Sequence, residues 1–296
     1  MISKLVAVVT LTVLGFVTRR YIGLEKPWHI LSLVLFYFSI PLTIFFSTIN
    51  APNIPMLLIA TVLAFIHMCI VATLSFAIAT KRGGKWPSIA VLVSLPNSLF
   101  LAIPLSEAAL GSAIPALPHA IAFNGVLVIS TAWLSYLTGR KRGVGTSSRA
   151  LPHVLAFMTA LVLRVINVAP LLLSIDAVHS LMLAINYLNL SAFTLIGAEL
   201  AVAGFSLRKE VLYVAILRYI TSPIILAAIL LIPIIPPLPT DVFLGMFMQS
   251  FMPPAVTCIV LSKIYNLDNE LTALSIAILT PISTAIALTI PIFKWM

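Results

Sequence analysis

Charge is what this sequence lacks most. Only 8% of its 296 residues are Asp, Glu, Lys or Arg, against about 25% in an ordinary soluble domain. Such a chain cannot clothe itself in a water-facing surface. Acidic residues are the scarcer sign, 8 against 17 basic ones. Cysteine occurs twice, as Cys69 and Cys258, each inside an apolar run and without metal-ligand spacing around it. Both read as small packing residues and carry no information on redox compartment.

Catalytic motifs are missing too. The chain has no HExxH, no paired Asp suited to an aspartyl protease and no Ser/His pair of recognisable spacing, which argues against an intramembrane enzyme. No glycine loop of the phosphate-binding type is present, so the chain alone is not expected to pump with ATP. The five histidines, His29, His67, His119, His153 and His179, are scattered over different spans. Repeated pore-lining charges, the mark of an ion channel, are absent as well. No cofactor and no metal are expected.

Apolar residues fill the space left by charge. They make up 61% of the chain, with mean hydropathy +1.16, and runs of about 18 or more recur from end to end, each long enough to cross a bilayer. The short alternating segments of a β-barrel do not occur. The fold class is therefore an all-α polytopic membrane protein, with the lipid bilayer as its first partner. Ten helices are expected, at 2–18, 28–49, 54–80, 86–110, 113–138, 151–170, 175–205, 208–232, 238–263 and 268–293. The first ends in Arg19 and Arg20 without a small-residue cleavage pattern, so it reads as a retained helix and not a secretory signal.

The net charge of +9 would suggest nucleic acid in a soluble protein. Its distribution says otherwise. Arg19, Arg20 and Lys26 follow helix 1; Lys81, Arg82 and Lys85 follow helix 3; Arg140, Lys141, Arg142 and Arg149 follow helix 5. Arg208 and Lys209 follow helix 7, and Lys263 falls at the end of helix 9, whereas the loops after helices 2, 4, 6 and 8 have no basic residue. Positive charge marks the cytoplasmic side, which puts both termini outside a multi-pass plasma-membrane protein and leaves no role for nucleic acid. The Gly/Ser-rich basic stretch 139–150 reads as a cytoplasmic linker between five helices (1–138) and five more (151–296). Five is odd, so the second block enters the membrane inverted, the plan of many secondary transporters.

An inverted repeat predicts that an oddity in helix 4 returns in helix 9. Helix 4 carries "SLPNSLFLAIP", with Pro96, Asn97, Ser98 and Pro104; helix 9 carries "MQSFMPPAVTC", with Gln249, Ser250, Pro253 and Pro254. Proline removes a backbone donor and breaks the helix ladder, and irregular backbone survives in hydrocarbon only where it is buried or lines a cavity. The half-helix after each break offers free N–H groups and the positive end of a dipole. Two such ends make an anion site to which Asn97, Ser98 and Gln249 add side-chain partners. Any single membrane proline is more often a kink; the matched positions and adjoining polar residues favour function here.

At these residues the chain resembles the auxin efflux carrier family, which includes the plant PIN exporters and prokaryotic relatives. The resemblance rests on "PNSLFLAIPL" (Pro96–Leu105) and on "MPPAVTCIVLSKIYNLDNELTALSIAI" (Met252–Ile278), with a weaker match in "SIPLTIFFSTIN" at 39–50. Ala102 stands where the family has glycine. The acidic residue that plant members carry early in helix 3 has no counterpart in "IPMLLIATVLAF". The resemblance implies a ten-helix inverted 5+5 repeat in which broken helices 4 and 9 cross, a fold shared with bile-acid sodium symporters. It also implies a scaffold of helices 1, 2, 6 and 7, often homodimeric, and a transport domain of helices 3–5 and 8–10 that moves elevator-fashion. The expected activity is export of a small organic anion bound at the crossover. A sodium-coupled symporter of the bile-acid type is the alternative, and coupling to protons, to sodium or to neither stays open.

Ionisable or polar residues at membrane depth are the remaining candidates. Glu199 in helix 7 and Arg218 in helix 8 are placed to form an ion pair, structural or coupling. His67 in helix 3 titrates near neutral pH when unperturbed, and Asn124 in helix 5 shares the expected transport domain. Arg164 near the outer end of helix 6 can snorkel, and Glu107 ends helix 4 near the outer surface.

Overall fold

The computed structural model describes residues 2–23, 26–139, 145–203 and 208–290. Apart from one bridge of two facing prolines, regular structure among them is helical. In chain order these are α1 (Ile2–Ile22), α2 (Lys26–Val34), α3 (Ile40–Asn50), α4 (Ile54–Arg82), α5 (Trp86–Ser94), α6 (Ala102–Leu110), α7 (Leu117–Thr138) and α8 (Gly145–Val165). There follow α9 (Ala169–Leu173), α10 (Asp176–Leu190), α11 (Ala192–Ala203), α12 (Lys209–Ile216), α13 (Ser222–Leu230), α14 (Thr240–Ser250), α15 (Thr257–Tyr265) and α16 (Asn269–Thr289). Five stretches are long and apolar enough to cross a bilayer: Ile54–Arg82, Ile114–Thr138, Asp176–Leu195, Lys209–Leu230 and Asn269–Thr289. This is an α-helical, membrane-embedded protein.

Two departures from the expected segments stand out. Helix α8 begins at Gly145, inside the stretch read as a linker, although Gly and Ser are poor helix formers. Residues 140–144 lie outside the described residues. The run 175–205, expected as one helix, is interrupted at Ser191, whose hydroxyl donates back to the Leu188 carbonyl at 2.6 Å.

Prolines explain most of the remaining irregularity. A wide π turn, Leu35–Ser39, joins α2 to α3 just ahead of Pro41, and another, Leu217–Thr221, joins α12 to α13 just ahead of Pro223. A proline ring collides with the carbonyl one turn back; widening the turn relieves the collision and re-aims the side chains it carries.

Helices α1 and α11 pack along each other, as do α3 and α8; α4 packs along both α5 and α7. The α1–α11 contact is backbone to backbone. A Cβ on Gly15 would stand 1.9 Å from the Thr194 carbonyl oxygen, and one on Gly197 would stand 1.9 Å from that of Thr12. Only glycine permits that approach in hydrocarbon. Around α5 the burial is complete: every residue from Ser88 to Ser94 is inside. A helix apolar all round must be surrounded by protein or lipid, and α4, α7, α12, α15 and α16 do the surrounding. What α5 leads into is therefore enclosed.

At the end of the bundle where α5 begins, charges gather. Arg208 Nη2 contacts Asp268 Oδ2 at 2.7 Å, Arg208 Nη1 reaches Glu270 at 3.2 Å, and Lys85 Nζ contacts Glu210 at 3.3 Å. Asp268 also caps α16 by accepting from Leu271 N at 2.9 Å. Burial pushes the Asp268 carboxyl up, but the Arg208 guanidinium and the Leu271 N–H outweigh it and hold it below the usual carboxylate range. At the other end Arg164 donates to the carbonyls of Ile49 and Ala51, at 3.0 and 2.8 Å, and so caps the C-terminus of α3.

Candidate functional site

The two broken segments meet. Asn97 N donates to the Pro253 carbonyl at 2.7 Å, and Ala255 N donates to the Leu95 carbonyl at 2.8 Å. Pro96 and Pro254 face each other between these bonds as an antiparallel pair. In an antiparallel ladder alternate residue pairs exchange no hydrogen bonds, and two prolines occupy that position at no cost in lost donors. Helix α5 ends at Ser94 and α14 at Ser250; α6 and α15 resume at Ala102 and Thr257.

The sequence candidates divide at this crossing. Pro96, Asn97, Ser98, Pro253 and Pro254 are all buried in it, and Asn97 is 2% exposed. Asn97 Nδ2 and Ser98 Oγ have no hydrogen-bond partner among the described residues. Buried polar atoms in folded proteins are nearly always satisfied, so these two are available to something else. Pro104, by contrast, breaks nothing. It sits in the first turn of α6, where its missing N–H is tolerated. Ser250 Oγ is committed to the Phe247 carbonyl at 2.6 Å. Gln249 Nε2 donates to the Ala116 carbonyl at 2.9 Å while its Oε1 is buried without a partner among the described residues.

Asn124 lies level with the break. Ser130 on α7 donates to Ser94 Oγ at 3.1 Å, and Asn124 is six residues earlier, roughly 9 Å of helix rise. Helix α7 runs antiparallel to α5, because Ser135 meets Tyr265 at the end of the bundle where Ser88 meets Asp268. That carries Asn124 the same way that the chain travels from Ser94 to Asn97. Both polar atoms of its amide are buried and have no partner among the described residues.

Arg218 supplies what the sequence could not show. Its guanidinium is 2% exposed and donates to the Met252 carbonyl through Nε at 2.9 Å and Nη2 at 2.7 Å, and to the Val93 carbonyl through Nη1 at 2.9 Å. Those carbonyls are freed by the two breaks, at the negative ends of the half-helices. The expected partner Glu199 lies on α11, and its side chain is outside the described residues; no ion pair to Arg218 occurs among the described residues. One positive charge is thus fixed beside the crossing.

The chain matches no family model and no curated protein. Its geometry has to speak for it, and one further cluster does so. His67 Nδ1 is 3.1 Å from His119 Nε2, and His67 Nε2 is 3.0 Å from the Ser222 carbonyl. Ser222 Oγ in turn donates to the Ser250 carbonyl at 3.0 Å. His119, apparently scattered in sequence, is 0% exposed beside His67. No spacing signal could have found a pair drawn from different helices.

A cavity of about 480 Å³ opens between α3, α6 and α10, lined by Thr43, Ser47, Asn50, Glu107 and Asn186 among others. Beside it Asn189 donates to Thr43 Oγ1 at 2.8 Å and accepts from Ser39 Oγ at 2.8 Å. The crossing itself does not line this cavity. Among the described residues no group of His, Cys, Asp or Glu could hold a metal ion.

Proposed function

We propose that this protein is a secondary carrier for a small organic anion, bound where the broken helices 4 (α5–α6) and 9 (α14–α15) cross. The observation that carries the reading is the pairing of two proline breaks around buried, unpartnered Asn97 and Ser98, beside a fixed guanidinium. A permanent positive charge without a carboxylate is costly in a dry interior. An anion arriving at the crossing offsets that cost and occupies the idle donors.

In this reading the chain forms ten membrane helices in an inverted 5+5 repeat. Helices 1, 2, 6 and 7 form the scaffold, with its glycine-tight α1–α11 contact, and helices 3–5 and 8–10 carry the substrate. The cavity lined by Glu107 and Asn186 lies at the expected outer end of the boundary between them and serves as a vestibule. Arg218 also bears on sodium. Freed carbonyls at half-helix ends are where transporters seat a coupling cation, and Arg218 already occupies those of Val93 and Met252. That favours a sodium-independent carrier over a bile-acid-type symporter.

The test is reconstitution into liposomes with labelled succinate, malonate and indole-3-acetate under imposed voltage, pH or sodium gradients. Flux above protein-free liposomes that falls at least about tenfold in Asn97→Ala and Pro253→Ala supports the reading. Flux indifferent to both substitutions removes the crossing as the site, and no flux with any of the three anions removes the carrier assignment.

A further inference from the structure

The His67–His119 pair is buried where α4 and α7 meet Ser222, and its bonding dictates its protons. The Ser222 carbonyl can only accept, and the Ser222 hydroxyl, 3.2 Å from the same nitrogen, gives its hydrogen to the Ser250 carbonyl, so His67 Nε2 carries a hydrogen. In the neutral pair His67 Nδ1 is then bare, and His119 Nε2 must donate to it across the 3.1 Å contact. That leaves His119 Nδ1 bare, and this atom is buried without a partner among the described residues. The pair therefore has one vacancy. A proton added at His119 Nδ1 makes one imidazolium; a second would force two N–H groups against each other at the shared contact.

The surroundings set when that vacancy fills. On the helix carrying Ser222, Arg218 lies one turn earlier with its guanidinium on the Met252 and Val93 carbonyls, and an added proton on the pair repels it. Tyr219, next to it, spends its hydroxyl on Leu279 and Ser283. From α7, His119 itself lies in the first turn, at the positive end of the helix. From α14, Gln249 and Ser250 present neutral groups, and from α5 no titratable residue faces the pair among the described residues. Two positive groups, the Arg218 guanidinium and the first turn of α7, thus lie near both the pair and the crossing. An anion at the crossing cancels them.

We propose that His67 and His119 form a single-proton site coupled to the crossing, so that one proton travels with each anion. This rests on the carrier reading above. The link is physical: the Ser222 carbonyl accepts from His67, and the Ser222 hydroxyl donates to the Ser250 carbonyl at the edge of the helix 9 break. By reciprocity, a proton on the pair strengthens anion binding as much as the anion strengthens proton binding.

Two measurements test it. Proteoliposomes loaded with a pH-sensitive dye receive labelled succinate, and lumen pH is followed alongside label. The expected result is one proton entering per anion beyond protein-free controls, with uptake rising by up to about tenfold per pH unit of outside acidity, the limit for one proton. In His119→Gln, the flux that remains carries no proton. Succinate flux without lumen acidification, or His119→Gln flux still in step with protons, overturns the proposal. The second measurement is independent of transport: imidazole nitrogen spectra of histidine-labelled protein, assigned with His67→Gln and His119→Gln. One shared N–H and one proton taken up by the pair are expected. Two rings that titrate independently, or a pair that stays neutral wherever the protein is folded, overturn the site. If no anion moves but the spectra show the single proton, the carrier assignment falls and the proton site stands.

Discussion

Arg218 holds the Met252 carbonyl with two hydrogen bonds, from Nε at 2.9 Å and Nη2 at 2.7 Å. A third bond reaches the Val93 carbonyl, so one side chain grips both broken helices. Arg218→Leu leaves two carbonyls buried and unsatisfied, and each hydrogen bond to a charged group is worth roughly 1.5–3 kcal/mol. The expected outcome is a drop in the thermal midpoint of the purified protein much larger than any surface substitution gives. Arg218→Lys keeps the charge but not the forked geometry, and is expected to fall between wild type and Arg218→Leu in the same melt.

Asn97 poses the opposite case. Its Nδ2 makes no hydrogen bond among the described residues, so Asn97→Ala removes a buried, unspent donor. Stability is expected to change by no more than about 1 kcal/mol, while anion flux falls by at least about tenfold. A melt and a flux assay on the same preparation separate the two effects. A large loss of stability would mean that the side chain serves the fold.

Asp268 gives the fold a pH dependence with a defined sign. Its carboxyl is held below the usual carboxylate range by Arg208 and Leu271 N, despite burial. A carboxyl with a depressed folded-state pKa contributes stability that is present above its unfolded pKa and lost as pH falls through the folded one. Asn caps a helix about as well as Asp, so Asp268→Asn isolates the charge. The variant is expected to melt lower than wild type at neutral pH by roughly 1 kcal/mol. The gap should close in acid, below about pH 4, and narrow in high salt.

Gly197 tests the α1–α11 contact. Its added Cβ would stand 1.9 Å from the Thr12 carbonyl oxygen, so Gly197→Ala must push the two helices apart, at a cost of about 1–3 kcal/mol. A cysteine pair engineered across the same contact is expected to cross-link more slowly in that variant. Gly139, with φ +65° and nothing near its Cβ position, is a poor comparison because its backbone is itself glycine-specific; Gly125, which meets only the movable ring of Phe65, is the better control.

How far the sequence could be read depended on which atoms carry the information. Proline acts on its own backbone, so the breaks at Pro96 and at Pro253/Pro254 were visible as letters. That the two breaks touch was visible only through the expected inversion of the second half. Arg218 reads as a buried charge, but side chains offer it only acidic partners, and its real partners are carbonyls, which every residue has. His119 is hidden for a similar reason: its partner lies 52 positions away, on a helix face no local period connects to its own. The start of α8 at Gly145 was hidden by glycine and serine letters that ordinarily mark a flexible link. Pro104 misled in the other direction, since a proline in the first turn of a helix and one that ends a helix look alike in a string.

The facing prolines at 96 and 254 also fix the alignment of the two segments. Sliding either strand by one residue would bring a proline opposite a carbonyl that needs an N–H, and neither ring can supply one. Neighbouring registers are therefore closed by absent donors, and the joint has one setting. The segments α5–α6 and α14–α15 must then move as a welded pair: whatever motion this protein makes in the membrane, it cannot be a slippage at the crossing.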